Sequence, residues 1–186
     1  MISIGVIGYG YWGPNLVRNF MTNLDSRVVS VCDRDSMRLE KVQSLYPTVK
    51  ITTRSEDLIL DTEVDAVVIA TPVASHYELA MAALKAGKHV FVEKPITIES
   101  AQASKLIDEA ARRKLVLMVD HTFVYTGAVR KIHETIKTPA FGKLRYYDST
   151  RVNLGIFQHD VNVLWDLAVH DLTIMSYIID EKPVAI

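Results

Sequence analysis

Short apolar runs alternate with segments of helical period along the chain up to about residue 120. The runs are rich in β-branched residues, which favours strands, and the segments between them repeat apolar positions every three to four residues, as helices do. The predicted strands are Ile2–Ile7, Val28–Cys32, Val49–Ile51, Ala66–Ala70, His89–Val92 and Leu115–Val119. The predicted helices are Pro14–Met21, Ser36–Leu45, Ser75–Ala86 and Ile98–Arg113, with Gly87 ending the third and Thr97 capping the fourth. This alternation predicts an α/β fold with a doubly wound parallel sheet over residues 1–120.

The pattern changes after residue 120. We expect a helix over 128–137, a turn at 139–142, a long strand over 143–152 and a helix over 161–179. One strand and two helices cannot bury a sheet face of their own. Residues 121–186 are therefore interpreted as the incomplete beginning of an α+β domain, and the chain as a fragment.

A glycine motif joins the first predicted strand directly to the first predicted helix, in the segment Ile7-Gly8-Tyr9-Gly10-Tyr11-Trp12-Gly13-Pro14. Gly8 permits a tight turn, Gly10 lets the backbone approach a pyrophosphate, and Gly13 lets the helix lie close on the strand. The helix N-terminus offers free N–H groups and a positive dipole end to an anion. The motif predicts a dinucleotide cradle, although similar turns occur as plain structural turns and in methyltransferases.

An acidic residue follows the second predicted strand at the place where a dinucleotide site needs one. Asp33 lies twenty residues beyond Gly13, where a carboxylate accepts both ribose hydroxyls and repels a 2′-phosphate. NAD is therefore favoured over NADP. Arg34 is the opposing signal, because a guanidinium beside the ribose binds a phosphate well. Without a ligand, Asp33 would be a turn or cap residue before Ser36.

Composition narrows the choice of partners. The formal net charge of −1 gives no field that would gather nucleic acid or an anionic membrane. The single cysteine, Cys32, falls in an apolar strand, so we expect a buried thiol and neither a disulfide nor a metal site. The first strand begins at Ile2, which leaves no room for a signal peptide, and no apolar run reaches membrane-spanning length. We expect a cytoplasmic protein.

Two further motifs follow predicted strands, and ligands of open parallel sheets bind at those carboxyl ends. The segment Thr71-Pro72-Val73-Ala74-Ser75-His76 follows the fourth strand and Glu93-Lys94-Pro95 follows the fifth. Lys94 is a candidate general acid or carbonyl-polarising group, because burial and neighbouring charge shift the pKa of an ammonium in a cleft. The alternatives are a solvated loop lysine and, for His76, a histidine that only satisfies the first turn of its helix.

A carboxylate and an imidazole stand four residues apart near the end of the chain. Asp166 and His170 would share one face of the last predicted helix. The carboxylate can orient the imidazole for removing a proton from a hydroxyl as hydride leaves the same carbon; an ordinary exposed pair is the alternative. Asp171 falls in the apolar stripe of that helix and needs a partner, for which Arg151 is the candidate.

In this order the motifs resemble the Gfo/Idh/MocA oxidoreductases, a family named for glucose-fructose oxidoreductase and inositol dehydrogenase. The Glu-Lys-Pro segment followed by Asp166-x-x-x-His170 is more specific than the glycine motif. The resemblance implies a Rossmann domain, then an α+β domain that binds substrate and often forms the oligomer interface, and NAD(P)-dependent oxidation of a sugar or polyol hydroxyl. It implies that Lys94 contacts the reacting oxygen, that Asp166 binds substrate and that His170 is the acid/base, with the roles of Lys94 and His170 interchangeable.

The stretch 150–167, with Asp120-His121 before it, resembles family members encoded with bacterial surface-polysaccharide genes. That implies a nucleotide-sugar substrate, for instance oxidised at C3 of a UDP-N-acetylhexosamine or its uronic acid, with His121 and Arg151 as substrate residues. Many members have glycine in place of Ala168 and an acid in place of Thr173. A non-catalytic dinucleotide sensor and an inactive cofactor-binding fragment are the other interpretations. The residues predicted to bind the cofactor are Gly8, Gly10, Tyr11, Trp12, Gly13, Asp33, Arg34, Thr71, Pro72, His76, Glu93 and Lys94.

Overall fold

A computed structural model describes residues 1–152 and 161–185 of the chain. Two compact units make up the chain, Met1–Asp120 and His121–Ile186.

The first unit is built on one six-stranded sheet in which every neighbouring pair of strands is parallel. The strands are β1 (Ile2–Ile7), β2 (Ser26–Cys32), β3 (Lys50–Thr52), β4 (Ala66–Ile69), β5 (His89–Val92) and β6 (Leu117–Val119). Their order across the sheet is β3-β2-β1-β4-β5-β6. The predicted α/β class with a doubly wound parallel sheet is confirmed.

Five helices connect these strands. They are α1 (Gly13–Thr22), α2 (Ser36–Leu45), α3 (Ser55–Leu60), α4 (His76–Lys85) and α5 (Ser100–Arg113). The sequence pattern missed α3, because a six-residue helix is too short to show a periodic apolar stripe. Its Leu58 and Ile59 are nonetheless fully part of the core.

Two apolar clusters cover the two faces of the sheet. Alternate residues of β4 show the division, since Val67 and Ile69 join the cluster with α3, α4 and α5, while Val68 joins the cluster with α1 and α2. Cys32 lies in the first of these clusters, and burial, followed by the charge of Asp33, raises the pKa of its thiol to about 11. The prediction of a buried cysteine is confirmed.

The direction in which the chain adds strands reverses at β1. The strands β2 and β3 lie on one side of β1, and β4, β5 and β6 lie on the other. Loops that leave the carboxyl ends of β1 and β4 therefore diverge to opposite faces, which opens a crevice at that edge. The Gly8–Gly13 loop and the Thr71-Pro72 loop start at this crevice.

The sequence predicted the C-terminal end of α4 correctly and the N-cap of α5 incorrectly. Gly87 has a φ of +81° and directly follows Ala86, the C-cap residue of α4, so its predicted role in ending that helix is confirmed. The prediction for Thr97 is wrong, because α5 begins at Ser100 with Glu99 as its N-cap residue. The hydroxyl of Thr97 donates instead to the Glu99 carbonyl at 2.8 Å, which fixes the turn before the helix.

The described residues of the second unit, 121–152 and 161–185, form two α-helices, α6 (Gly127–Ile136) and α7 (Val169–Ile178), and a π-helical turn at Leu164–Ala168 directly before α7. The strand predicted over 143–152 is wrong, because a strand requires a hydrogen-bonded neighbour and none pairs with this segment among the described residues. Residues 153–160 lie outside the described residues; they belong to the stretch 150–167 that resembles family members encoded with surface-polysaccharide genes.

Across residues 1–152 and 161–185, no helix has the length and apolar character needed to cross a membrane. The same ranges contain no cluster of three or more histidine, cysteine or acidic side chains with the geometry of a metal site.

Candidate functional site

The Gly8–Gly13 loop has the geometry of a close-packed turn with one open position. Gly8 has a φ of +98°, and a Cβ on it would lie 2.5 Å from the carbonyl oxygen of Ala70 at the end of β4. A Cβ on Gly13 would collide with the carbonyl of Gly8. At Gly10, in contrast, the nearest atom to a Cβ would be Nη1 of Arg38, at 3.5 Å. The first and third glycines are therefore required by packing, whereas Gly10 leaves room above the backbone.

The N-terminus of α1 faces this open position. Pro14 occupies its first turn, no side chain caps it, and its first turn carries no acidic residue. Tyr11 and Trp12 precede the helix with 73% and 51% of their surface exposed, and their rings pack edge to face at 5.5 Å. The helix end thus presents N–H groups and two accessible aromatic rings, which suits a phosphate-bearing ligand.

Asp33 is buried beside the glycine loop, and both oxygens of its carboxylate accept hydrogen bonds. Its Oδ2 accepts the Tyr9 N–H at 2.6 Å and its Oδ1 accepts the Asp35 N–H at 2.9 Å. These two bonds fix the carboxylate at the tip of β2 and tie it to the turn after β1. A carboxylate has about four acceptor positions, so the remaining ones can still take ribose hydroxyls.

The guanidinium near Asp33 belongs to Arg38, a residue that the sequence analysis did not select. Arg38 Nη1 lies 3.4 Å from Asp33 Oδ2, and Arg38 Nε lies 3.4 Å from Asp35 Oδ2. Arg34, which we selected as the cation beside the ribose, is exposed, as is Arg38. The spacing of Asp35 and Arg38, three residues apart at the start of a helix, is the signal that would have identified it.

His76 links the loops after β4 and β5. Its ring is 1% exposed, with Nδ1 2.9 Å from the Pro95 carbonyl oxygen and Nε2 2.8 Å from the Thr71 carbonyl oxygen. A neutral imidazole carries one N–H and donates to one carbonyl, so both bonds form together only in the imidazolium. The His76 ring therefore ties the loop after β4 to the loop after β5.

Lys94 follows β5 and stands beside a pair of acids. Glu93 is 8% exposed, and its side chain hydrogen-bonds that of Asp120, which follows β6. Burial, then the neighbouring Asp120 carboxylate, raises the pKa of Glu93 to about 8, while the backbone N–H and the ammonium of Lys94 oppose the rise. The sequence-based site omitted Asp120 because its nearness to Glu93 depends on β5 and β6 being neighbours in the sheet.

In the second unit, Phe123 brings two candidate residues together. The Arg151 guanidinium lies over the Phe123 ring at 4.9 Å from its centroid, and the His170 ring meets the same ring edge-on at 4.7 Å. His121 Nδ1 lies 3.4 Å from the hydroxyl of Thr173 on α7. Sequence reasoning missed Phe123, because a single aromatic in a short irregular segment carries no periodic signal.

The expected partner of Asp171 is confirmed as Arg151. Arg151 donates from Nε to Oδ2 at 3.0 Å and from Nη2 to Oδ1 at 3.1 Å, and the Ser149 hydroxyl donates to Oδ1 at 2.7 Å. The hydrogen bond from Arg151 is the main reason that the pKa of Asp171 lies below its usual range. Asp166 lies in the π-helical turn while His170 lies in α7, so their spacing does not follow the regular α-helical repeat that we assumed.

The first unit fits a dinucleotide at the crevice beside β1 and β4. A Cβ would fill the open position at Gly10, whereas the bare glycine backbone leaves room there for a pyrophosphate; α1 begins beside it without a side-chain cap, and Asp33 lies at the tip of β2, where such folds place the ribose acceptor. The structure gathers Gly8, Gly10, Gly13, Asp33 and the loops of Thr71 and Lys94 at one edge of the sheet. It gathers His121, Arg151 and His170 separately, within the second unit.

Comparison with known proteins gives the same outline. The model of an oxidoreductase family with an NAD-binding Rossmann fold, GFO_IDH_MocA, matches residues 2–121. The chain is 31% identical to the UDP-N-acetylglucosamine 3-dehydrogenase of Acidithiobacillus ferrooxidans, over 97% of this chain and 55% of that enzyme. It is 29% identical to the myo-inositol 2-dehydrogenase of Thermotoga maritima, over 97% of this chain and 56% of that enzyme.

A solved structure supports the fold. The NAD-binding protein from Listeria innocua superposes with a TM-score of 0.81 and 28% identity, over 96% of this chain and 55% of that one. The chain spans about half the length of the curated relatives that it matches.

Proposed function

The chain belongs to the Gfo/Idh/MocA family of oxidoreductases, and from this premise we propose that it binds NAD and serves hydride transfer to and from a sugar, polyol or nucleotide sugar. The observation that carries the proposal is the gathering of the Gly8–Gly13 loop, Asp33 and Lys94 at the carboxyl edge of one parallel sheet. Ligands of doubly wound sheets bind at that edge. A phosphate loop, a ribose acceptor and a cation for the reacting oxygen are what such a reaction needs from the protein.

The surroundings of Arg38 support NAD over NADP. Asp33 and Asp35 both lie 3.4 Å from the Arg38 guanidinium, so two carboxylates already compete for the cation that a 2′-phosphate would need. The ribose hydroxyls of NAD instead donate hydrogen bonds to Asp33 and bring no charge. The proposal therefore assigns cofactor preference to the balance between Asp33 and Arg38, with Arg34 outside it.

The proposed chemistry divides between two side chains. The nicotinamide, when bound, supplies the carbon that accepts or gives the hydride. Lys94 is partly exposed at the end of β5, so its ammonium can donate to the reacting oxygen and hold a proton there. We assign removal of the proton from the substrate hydroxyl to His170, and substrate binding to Asp166. The proposal includes the reverse arrangement, in which Lys94 takes the proton and His170 contacts the reacting oxygen.

The proposed substrate class rests on the relatives. One acts on UDP-N-acetylglucosamine at C3 and another on myo-inositol at C2, so a secondary hydroxyl on a six-membered ring is the shared chemistry. The grouping of His121, Arg151 and His170 within the second unit supports a polar sugar ligand there. We propose a nucleotide sugar first, in a cytoplasmic homo-oligomer, and expect no nucleic-acid or membrane partner at a net charge of −1.

A non-catalytic dinucleotide sensor is the second candidate. It would need the glycine loop and Asp33 but would have no use for Lys94 and His170 together. The position of Lys94 at the cofactor edge favours the enzyme, and a cofactor-binding chain without turnover would favour the sensor.

Replacement of Lys94 tests the proposal. In a form of the protein that oxidises a UDP-sugar or myo-inositol with NAD, we expect Lys94→Ala to lower kcat by roughly 10²-fold or more, the scale of a lost general acid or base. We expect its NADH affinity to stay within about threefold, because Lys94 acts on the substrate oxygen. Lys105→Ala, at an exposed position of α5, is the matched control. Unchanged turnover in Lys94→Ala would remove Lys94 from the mechanism.

A further inference from the structure

The neighbouring strands β5 and β6 are each followed by an acidic residue, Glu93 and Asp120, to which the proposed hydride and proton transfers give no part. Val92 and Val119 are paired in register, so Glu93 and Asp120 are the next residues side by side. The Glu93 N–H donates to the Ile69 carbonyl at 2.9 Å, and the Asp120 N–H donates to the Val92 carbonyl at 2.9 Å. The sheet therefore fixes both backbones at the edge where Lys94 begins its loop.

The two side chains are close enough to bond, and Glu93 is nearly excluded from water. Glu93 is 8% exposed and its carboxyl group hydrogen-bonds that of Asp120. Ionised carboxylates are acceptors only, so a hydrogen bond between two of them requires one proton. Two adjacent carboxylates in a partly desolvated place also repel each other strongly unless they share one.

The pair is joined to Lys94 through the main chain. The backbone N–H of Lys94 donates to the Glu93 side chain, so the orientation of the Glu93 carboxyl bears on the peptide that carries Lys94. The charged and titratable groups around Glu93 are Asp120 from β6, the Lys94 ammonium from its own loop and the His76 ring from α4, which holds the Pro95 carbonyl. His121 follows Asp120 in the chain.

We propose that Glu93 and Asp120 share a single proton and that this acid pair positions Lys94 at the cofactor edge of the sheet. With the proton present, the pair carries one negative charge, and the bond to Asp120 holds the Glu93 carboxyl and the Lys94 N–H that donates to it in one orientation. When the proton leaves, the two carboxylates repel and their bond breaks, so the Glu93 carboxylate turns away from Asp120 and the Lys94 peptide that donates to it shifts with it. Glu93 and Asp120 are thus positioning residues, and their role in turnover rests on the function proposed above for Lys94.

Nuclear magnetic resonance of the protein tests the pair without any need for turnover. We expect the side-chain carboxyl carbon of Glu93 and the backbone amide nitrogen of Lys94 to titrate with one midpoint, near the pKa of about 8. In Glu93→Gln, whose amide donates to Asp120 at every pH, the Lys94 amide should stop titrating; Asp120→Asn is the second variant. Glu40→Gln, at an exposed position of α2, should leave the titration unchanged. Separate titration of Glu93 and Asp120 in the ordinary acidic range would overturn the shared proton, and a Lys94 amide that does not follow Glu93 would overturn the positioning.

The pH profile of turnover then separates this inference from the proposed function. We expect the alkaline fall in kcat of the wild type to move to higher pH in Glu93→Gln and to stay in place in Glu40→Gln. An active protein whose profile is the same in Glu93→Gln would overturn the positioning role. A protein with the coupled titration but without hydride transfer would support the acid pair and overturn the proposed function.

Discussion

At the scale of single residues, the glycines of the loop serve two purposes that the sequence motif does not distinguish, which are close packing against backbone and open space for a ligand. All three glycines fit the dinucleotide motif, yet the structure requires Gly8 and Gly13 for packing against backbone and leaves Gly10 open. Motif spacing predicted the loop correctly because strand, turn and helix are contiguous in the chain. It could not rank the glycines, since the carbonyl that crowds Gly8 belongs to Ala70, directly after β4 and far along the sequence.

This difference predicts that alanine destabilises the protein at Gly13 but not at Gly10. Gly13→Ala places a Cβ against the Gly8 carbonyl, so we expect the free energy of unfolding to fall by roughly 1–3 kcal/mol. Gly10→Ala meets only the end of the flexible Arg38 side chain, and we expect a change within about 0.5 kcal/mol. Urea unfolding followed by circular dichroism measures both. Equal destabilisation by the two substitutions would contradict the assigned packing.

Asp33 and Arg38 carry the prediction for cofactor preference. Asp33→Ser removes the ribose acceptor and frees Arg38, so we expect the affinity ratio of NADPH to NADH to rise by about 10–100-fold, the range for one charge-assisted hydrogen bond. Adding Arg38→Ala to that variant should cancel most of the gain, whereas adding Arg34→Ala should not. Fluorescence titration with each nucleotide measures the ratios. If adding Arg34→Ala cancelled the gain in the NADPH to NADH ratio, Arg34 would be the cation that binds the 2′-phosphate, as the sequence analysis predicted.

At the scale of elements, the sequence predicted those parts whose signal lies within one segment. The bounds of β1, β5 and α2 agree with the prediction, because each has a clear apolar pattern and a turn residue at its end. The acid pair at 93 and 120, the Arg38 contacts and the Phe123 cluster were not predictable, since each joins elements distant in sequence. The strand expected over 143–152 failed for the same reason, because a strand depends on a neighbour.

The His76 ring connects the loops after β4 and β5, so we expect its removal to destabilise the protein strongly. His76→Ala leaves the Thr71 and Pro95 carbonyls without their ring partner and opens a cavity, so we expect a loss of roughly 2–5 kcal/mol in the free energy of unfolding. Glu78→Ala, on the exposed side of the same helix, should change it by less than about 0.5 kcal/mol. Denaturant unfolding compares the two. A stable His76→Ala protein would show that the loops hold together without the ring.

At the scale of the whole molecule, the raised pKa of Glu93 predicts how stability depends on pH. Its pKa rises from 4.5 to about 8 on folding, so between these values the folded protein binds more protons than the unfolded chain. The free energy of unfolding should therefore fall as pH rises from about 4.5 to about 8, by an amount on the order of a few kcal/mol, and the loss should be complete above that range. Glu93→Gln should flatten the curve, and Glu40→Gln should not. Melting temperatures across the range measure this contribution, and an identical slope in Glu93→Gln would contradict it.

Asp171 contributes with the opposite sign. Hydrogen bonds from Arg151 and Ser149 lower its pKa in the folded state, so its stabilising contribution is present above the unfolded pKa and is lost as pH falls through the folded one. The two acids therefore act in different pH ranges, which allows their variants to be separated in one series of melting curves.

The central claim is that the first unit holds a dinucleotide over Gly10, and binding of NADH by the wild type and by Gly10→Ala tests it most directly. We expect the wild-type protein to bind NADH with a rise in melting temperature, and Gly10→Ala, folded to the same stability, to lose at least about tenfold in affinity because its Cβ occupies the place of the pyrophosphate. A folded wild type that binds no NADH, or a Gly10→Ala protein that binds it equally well, would contradict the account.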